Sequence, residues 1–256
     1  HTTITPIPWT TQNLLAAVEY AAKKLFFSID RANMNRRSIT ESLDDKIMGE
    51  VATVAVVEYL RSVSLQAASY DQFRLDSFKR PDPGWDILLG DGAYRWIEAA
   101  DRSDGRPASV KTASVKSSRL PKGDDLKKAI ANRDFKIFAR SNQTLTDALT
   151  ADTEMQVYFE RNGSWLPKGA QISADEVTAC TLARANCQIV LDKLQVKARF
   201  GTCYLTAWNW RENIVQDSAK LRPPTWRSYH AGHTKQMWRA PLKNGRGFAQ
   251  IQKDLA

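Results

Sequence analysis

Apolar residues recur at helical spacing in two stretches near the start of the chain. Thr10 or Thr11 can cap a first helix that runs to about Phe27. Ser38 and Glu41 form the S-x-x-E pattern of a capping box, which predicts a second helix over about 40–63. Four apolar residues form the stripe of this second helix, with Glu50 at the position between them: Leu43, Ile47, Val54 and Val57. A carboxylate is therefore predicted on a helix face that should be buried.

The chain then changes to short strand-like segments. The Pro-rich break at 80–84 leads into a predicted strand over 85–89, which carries Asp86 and ends at Gly90. Alternation predicts further strands over 93–100 and 108–115. The later predicted elements are a helix over about 123–132, strands at 135–139 and 156–160, a long helix from Ser173 to about Leu194, and one or two strands within 195–210. This order favours one α/β domain with a mixed central sheet, followed by an irregular last stretch of 45 residues.

Composition narrows the class of protein. The chain has 256 residues, of which 43% are apolar and 25% are charged, as in globular proteins with a full core. Apolar runs stay well short of the ~18 residues of a membrane span, and the first residues lack the pattern of a secretory signal. Three cysteines are too few for a disulfide framework. We therefore expect a cytoplasmic protein that makes no contact with a membrane.

The basic residues are concentrated in two blocks. The formal net charge is +9, and residues 111–140 hold nine basic and three acidic side chains, while residues 199–256 hold ten basic and three acidic ones. The second block also contains Trp208, Trp210, Trp226 and Trp238. Basic blocks on an otherwise mildly acidic chain are typical of a surface that binds a polyanion, and aromatic rings among them can stack on bases.

Three of these places together suggest a chemistry. Glu50 lies on a helix, Asp86 on a short strand, and Lys111 on a neighbouring strand in Ser109-Val110-Lys111. Mg²⁺ is bound by one or two carboxylates together with substrate phosphates and water. Hydrolysis of a phosphodiester needs an activated water and a neutralised phosphate, which a metal ion supplies, and a lysine beside it can orient the water.

At these residues the chain resembles the PD-(D/E)xK nuclease superfamily, which has an acid on a helix, a strand Asp and an acid-x-Lys strand. Ser109 stands where that pattern has its second acid. A subset of type II restriction endonucleases has Ser-x-Lys and an acid displaced by about a dozen residues. Asp124 and Asp125 lie 13 and 14 residues after Lys111. The resemblance implies a restriction-endonuclease-like nuclease domain over 1–256, with a catalytic core at about 40–210 and a basic, Trp-rich segment at 211–256.

Alternatives remain open for two of these roles. Ser114-Val115-Lys116 repeats the Ser-Val-Lys triplet with opposite strand parity, and we prefer Lys111 because it is nearer the centre of the predicted strand. Glu98 is a second candidate for the missing acid. Asp124 and Asp125 also suit the first turn of a helix, where acids cap backbone N–H groups.

The resemblance implies a Mg²⁺-dependent endodeoxyribonuclease of restriction or defence type that acts on double-stranded DNA. Asp86, Lys111, Glu50 and Ser109 would form the catalytic set, and Asp86, Glu50, Asp124 and Asp125 would hold the metal. A palindromic target favours a homodimer. The expected DNA contacts are Arg119, Lys122, Arg211, Arg227, His230, Lys235 and Arg239. The alternatives are an inactive nucleic-acid-binding protein on the same scaffold and a repair nuclease without palindrome specificity.

Overall fold

The structure is a computed structural model that describes residues 5–8, 10–27, 37–79, 82–90, 109–120, 124–140, 142–160, 166–200, 202–230 and 233–255. The strands are β1 (Thr5–Pro8), β2 (Ala67–Ser69), β3 (Ile87–Leu89), β4 (Lys111–Arg119), β5 (Thr153–Phe159), β6 (Thr202–Trp210), β7 (Thr225–His230) and β8 (His233–Trp238). The helices are α1 (Thr11–Leu25), α2 (Ile39–Ser62), α3 (Tyr70–Phe73), α4 (Leu126–Asn132), α5 (Leu145–Ala148), α6 (Ala174–Leu182), α7 (Cys187–Lys193), α8 (Val196–Phe200), α9 (Arg211–Ala219) and α10 (Ile251–Leu255).

A six-stranded mixed sheet forms the centre of the fold, which confirms the predicted α/β class. Its order is β1-β6-β5-β4-β3-β2, and the pairing of β4 with β5 is parallel while the other pairs are antiparallel. Strands β7 and β8 form a separate two-stranded hairpin. In the described residues, no helix combines the length and the apolar character needed to cross a bilayer.

Helices cover both faces of the sheet. On one face, α1 and α2 bury apolar side chains against Ala113 of β4 and Met155 of β5. On the other face, a smaller cluster joins Tyr158 of β5 to Ala129 of α4 and Leu242. The two faces of β4 and β5 therefore lie in different surroundings, and a side chain's parity along the strand decides which surroundings it meets.

Local signals at the first two helices act as predicted. The Thr10 hydroxyl accepts a hydrogen bond from the N–H of Asn13 (3.2 Å) at the start of α1. Ser38 and Glu41 form the predicted capping box, with the Ser38 N–H donating to Glu41 Oε2 (2.8 Å). Glu50 is buried on α2, with 5% of its surface exposed, as its place in the apolar stripe predicts.

Several predicted boundaries are wrong. The predicted strand at 108–115 is β4, which begins at Lys111 and continues to Arg119, so Lys111 is its first residue rather than near its centre. The predicted long helix after Ser173 is interrupted at Ala183, whose backbone is extended, before α7 begins. The stretch expected to be irregular contains the hairpin of β7 and β8. The strand predicted at 93–100 lies outside the described residues.

Candidate functional site

Asp86 is held at the point where the chain enters β3. Its N–H donates to the carbonyl of Ala113 on β4 (2.9 Å), and its carbonyl accepts from the N–H of Tyr70 (2.9 Å). Two residues earlier, Gly84 has a φ of 91°, and a Cβ there would clash with Thr150. The turn that delivers Asp86 to the sheet therefore requires glycine at position 84.

The Asp86 carboxylate points along the edge of β4. Its Oδ2 accepts from the backbone N–H of Val115 (2.7 Å) and from the Ser114 hydroxyl (3.3 Å). Because Ile87 is paired with Ala113 in an antiparallel ladder, one further step places Asp86 opposite Ser114. The triplet that meets Asp86 is thus Ser114-Val115-Lys116.

Glu154 lies beside Ser114 on the opposite side of β4 from Asp86. The parallel register of β4 and β5 pairs Ser114 with Glu154. Asp152 anchors this register, because its Oδ2 accepts from the N–H of Thr112 (2.7 Å). Asp86, Ser114 and Glu154 therefore form one row across three neighbouring chain segments, on one face of the sheet.

Lys116 completes this group, which we call the carboxylate–lysine row: Asp86, Ser114, Lys116 and Glu154. Lys116 lies two residues after Ser114 and so on the same face of β4. Its Nζ donates to the Ser114 hydroxyl (2.6 Å) and stands 3.6 Å from Glu154 Oε2. The Lys116 ammonium thus lies beside Glu154 and is linked to Asp86 through the Ser114 hydroxyl.

Burial of these carboxylates makes their negative charge costly. Glu154 is 1% exposed, and burial raises its pKa to about 7, with Lys116 opposing the shift and Asp86 adding to it. Burial also raises the pKa of Asp86, while the charges of Lys116 and Lys24 oppose that rise. An additional positive charge beside these two carboxylates would therefore stabilise their ionised forms.

Glu50 belongs to a neighbouring ion-pair network. Lys24 Nζ on α1 lies 2.7 Å from Glu50 Oε1, 2.5 Å from Asp71 Oδ2 and 3.5 Å from Asp82 Oδ2. Burial raises the pKa of Glu50 to about 8, with Lys24 opposing and Asp71 adding to the shift. The two groups are electrostatically linked, because the charges of Lys24 and Asp82 also act on Asp86.

The other predicted catalytic and metal residues lie elsewhere. Ser109 is exposed and precedes β4, and Lys111 pairs with Leu89 and has the parity opposite to that of Lys116. Asp125 caps α4 by accepting from the N–H of Lys128 (2.7 Å), and Asp124 forms a salt bridge with Arg133. Glu98, the second candidate for the missing acid, is outside the described residues.

The predicted DNA contacts divide into buried and surface positions. Arg119 forms a salt bridge with Asp44 (2.7 Å), and its side chain is 10% exposed. Its charge is therefore paired inside the protein rather than displayed on the surface. Arg211 donates to the Thr146 carbonyl (2.8 Å). Arg227 on β7 is exposed, and Lys235 on β8 lies over the Phe138 ring (5.4 Å).

The remaining predicted DNA contacts lie at the hairpin of β7 and β8 or outside the described residues. Arg239 is half-buried just after β8, and its N–H donates to the Pro224 carbonyl (2.8 Å). His230 ends β7, where the backbone pairs with His233. Lys122 is outside the described residues.

Sequence reasoning missed Glu154, although a signal was present. Every residue of β5 is buried, and Glu154 is the strand's only charged residue. The strand was predicted to begin at 156, which left Glu154 outside it. A carboxylate within a fully buried strand needs a positive partner, and this requirement would have marked Glu154 as a candidate.

The donor set of the row suits an open cation site. The structure shows no group of three or more His, Cys, Asp or Glu residues arranged around a metal position within its described ranges. Mg²⁺, however, uses one or two carboxylates and completes its shell with water and phosphate oxygens. Glu154 Oε2 is buried, and within the described chain it has no hydrogen-bond donor. Asp86 and Glu154 therefore fit such an ion.

The chain matches no family model, no curated protein and no solved structure.

Proposed function

We propose that this chain is a divalent-metal-dependent endodeoxyribonuclease whose reaction centre is the carboxylate–lysine row. The observation that carries the proposal is the register alignment of Asp86, Ser114 and Glu154 across three neighbouring segments, with the Lys116 ammonium 3.6 Å from Glu154. Buried Glu154 and half-buried Asp86 carry two negative charges when both are ionised, against the one positive charge of Lys116. A hard cation would balance the remaining negative charge.

Asp86 and Glu154 are the residues that would hold Mg²⁺. The ion would supply charge neutralisation at a bound phosphate and a water of lowered pKa. The Asp86 carboxylate accepts a hydrogen bond from the Val115 N–H, and Glu154 is carried by the fully buried strand β5. Ligands on rigid strands keep their geometry better than ligands on loops.

Lys116 is proposed to act on the reacting water and phosphate. Its ammonium can orient the water and stabilise negative charge that develops on the phosphate oxygens. In the reaction, the water oxygen forms a bond to phosphorus and one phosphorus–ester oxygen bond breaks. One proton leaves the water, and the departing oxygen gains one.

The proposed site corresponds to a PD-(D/E)xK arrangement with a changed assignment. Asp86 keeps its expected place, Ser114 stands where the pattern has its second acid, and Lys116 is the lysine. The carboxylate missing at Ser114 is supplied by its register partner Glu154 rather than by Asp124 or Asp125. Glu50 is proposed to support Asp86 through Lys24.

Duplex DNA is the proposed substrate, because the hairpin of β7 and β8 carries basic residues and an exposed aromatic ring. Trp226 is 40% exposed and precedes the exposed Arg227. An arginine can contact phosphates or guanine, and an indole can pack against sugar or base. A palindromic target would call for a twofold dimer, in which each protomer cuts one strand.

Incubation with supercoiled plasmid DNA tests the proposal. With Mg²⁺ the wild-type chain should nick or linearise the plasmid, and with EDTA it should not. Asp86→Asn and Glu154→Gln should bind a duplex but cleave it at least ~100-fold more slowly. Binding without cleavage by the wild-type chain, over varied and modified DNA substrates, would favour the inactive scaffold. Discrete fragments would indicate sequence specificity, and a smear would indicate a repair-type nuclease.

A further inference from the structure

On the edge of β4 that faces β3, side chains form hydrogen bonds with the backbone groups that lie beyond the end of the β3 ladder. Strand β3 pairs with β4 up to Ala113, whose carbonyl accepts from the Asp86 N–H. Farther along this edge, the N–H of Val115 donates to the Asp86 carboxylate (2.7 Å). The carbonyl of Ser117 then accepts from Nζ of Lys136 (3.0 Å). A carboxylate and an ammonium group thus follow one another along the same strand edge.

Lys136 is held firmly in this position. Its backbone N–H donates to Gln156 Oε1 (3.1 Å), and Gln156 is fully buried on β5. Val115 and Ser117 are two residues apart, which is about 7 Å along an extended strand. The β4 backbone groups that the Asp86 carboxylate and the Lys136 ammonium contact are therefore about 7 Å apart along the strand.

Positive charge predominates around Lys136. Burial lowers the pKa of Lys136, the charge of Asp45 opposes that shift, and the charges of Lys235, Lys116 and Arg119 add to it. The residue is half-buried rather than fully enclosed, and its ammonium donates to the Ser117 carbonyl at the strand edge. An anion at this position would gain from the charges of Lys116 and Lys235 as well as from that of Lys136, since Arg119 is paired with Asp44.

The basic hairpin is attached directly beside Lys136. The N–H of Ala139 donates to the Gln236 carbonyl (2.9 Å), and Phe138 forms a bridge with Met237 of β8. Lys235 lies over the Phe138 ring (5.4 Å). Cationic groups therefore continue from Lys116 past Lys136 to the hairpin, as a path of three lysines on different segments.

We propose that Lys136 is a phosphate anchor, which binds a backbone phosphate of duplex DNA next to the phosphate at the carboxylate–lysine row. That the phosphate at the carboxylate–lysine row is the reacting one rests on the proposed function. Phosphates of one DNA strand rise by only ~3.4 Å along the helix axis, but adjacent ones lie roughly 6–7 Å apart through space because the strand winds around that axis. An ammonium displaced by about two strand residues from the Asp86 contact therefore reaches the adjacent phosphate rather than the reacting one. Lys136 is then a positioning residue that sets which phosphate meets Asp86 and Glu154.

Fluorescence anisotropy with a labelled 20-base-pair duplex in EDTA tests this anchor apart from catalysis. Lys136→Gln keeps a donor for the Ser117 carbonyl but removes the charge, and Lys197→Gln removes the charge of an exposed lysine on α8, outside both basic blocks. We expect Lys136→Gln to weaken binding about tenfold and to lower the salt slope of log K by about one, whereas Lys197→Gln changes neither. Equal binding and slopes for both variants, or no duplex binding by the wild-type chain, would overturn the proposal.

A measurement on the wild-type chain covers the case in which Lys136→Gln does not fold. Acetylation of lysines by a reagent in solution is followed by mass spectrometry with and without the duplex. Bound duplex should slow acetylation of Lys136 severalfold and leave that of Lys197 unchanged, and unchanged acetylation of Lys136 would overturn the anchor. Plasmid cleavage by the wild-type chain in Mg²⁺ is measured separately. If Lys136→Gln weakens duplex binding but the wild-type chain cleaves no plasmid, Lys136 is still a phosphate anchor and the proposed hydrolase function is wrong.

Discussion

Ser114 and Glu154 are register partners in the parallel ladder of β4 and β5. Asp86 meets Ser114 from the other edge of β4 through a hydrogen bond to the Ser114 hydroxyl (3.3 Å). A serine therefore separates two carboxylates on neighbouring segments of the sheet. Under the proposed function, the strand with the Ser-x-Lys triplet needs no acid of its own, because the adjacent strand supplies one at the same level.

Lys116→Met should abolish most of the cleavage activity, and Lys111→Met should not. Lys116 Nζ contacts the Ser114 hydroxyl and lies 3.6 Å from Glu154, while Lys111 has the opposite parity on the same strand. Loss of a group that acts on the reacting atoms slows a reaction about 10²- to 10⁴-fold. Single-turnover plasmid cleavage in Mg²⁺ measures both variants. A larger loss for Lys111→Met than for Lys116→Met would restore Ser109-Val110-Lys111 as the triplet of the site.

Glu154→Gln should stabilise the metal-free protein at high pH. Burial raises the pKa of Glu154 from 4.5 to about 7, so the native state holds its proton more tightly than the unfolded chain does. The stability that comes from this group is complete below pH ~4.5 and is lost as the pH rises through about 7. The free energy of unfolding of the variant should exceed that of the wild type by about 3 kcal/mol at pH 8 and by almost nothing at pH 4.

Urea unfolding in EDTA at these two pH values measures the difference. Mg²⁺ at pH 8 should raise the free energy of unfolding of the wild type more than that of Glu154→Gln, because the ion binds the ionised carboxylate. A stability difference that stays constant across pH would show that Glu154 does not titrate as described.

Asp125→Ala should lower stability but leave cleavage unchanged. The Asp125 carboxylate accepts from the Lys128 N–H (2.7 Å) as the cap of α4. Loss of such a cap costs about 1 kcal/mol. Thermal or urea unfolding gives the stability change, and plasmid cleavage at a temperature where both proteins are folded gives the activity. A cleavage defect comparable to that of Glu154→Gln would identify Asp125 as the displaced acid.

Lys24→Met should destabilise the fold strongly. The Lys24 ammonium contacts Glu50 and Asp71, whose side chains are 7% and 6% exposed, and the variant leaves both carboxylates without it. Removal of one partner from a buried ion pair costs about 3–5 kcal/mol. Unfolding in urea measures the loss, and a second substitution, Glu50→Gln, should recover part of it.

Lys23→Met is the matched control on the same helix. Lys23 pairs with Glu19 one turn away and is 31% exposed, so its loss should change stability by less than ~1 kcal/mol. Equal effects at positions 23 and 24 would show that the Lys24 network contributes no more than a surface pair.

Local sequence signals predicted the part of the fold that local interactions determine. The cap of α1, the capping box of α2 and the burial of Glu50 depend on residues within a few positions of one another. Such contacts are visible in the order of the residues. The interruption at Ala183 was missed, because helical spacing continues across it while the backbone does not.

The choice between the two Ser-Val-Lys triplets could not be made from the sequence. Both triplets have the same composition, and strand parity alone assigns them to opposite faces. The register with β3 and β5, which are distant in sequence, places Ser114 beside Asp86 and makes Lys111 the first residue of β4. Glu154 was missed because the strand was predicted to begin at 156, and its partner on β4 lies 40 residues earlier, so local sequence does not show that it meets Ser114.

Anomalous scattering from crystals soaked in Mn²⁺ tests the central claim most directly. The account predicts a peak within about 2 Å of carboxylate oxygens of both Asp86 and Glu154, on the side of the sheet that carries Lys116. The peak should be absent in Glu154→Gln crystals soaked in the same way. A peak at Asp124 or Asp125 instead, or no peak near Asp86 at saturating Mn²⁺, would contradict the assignment of the carboxylate–lysine row as the metal-dependent reaction centre.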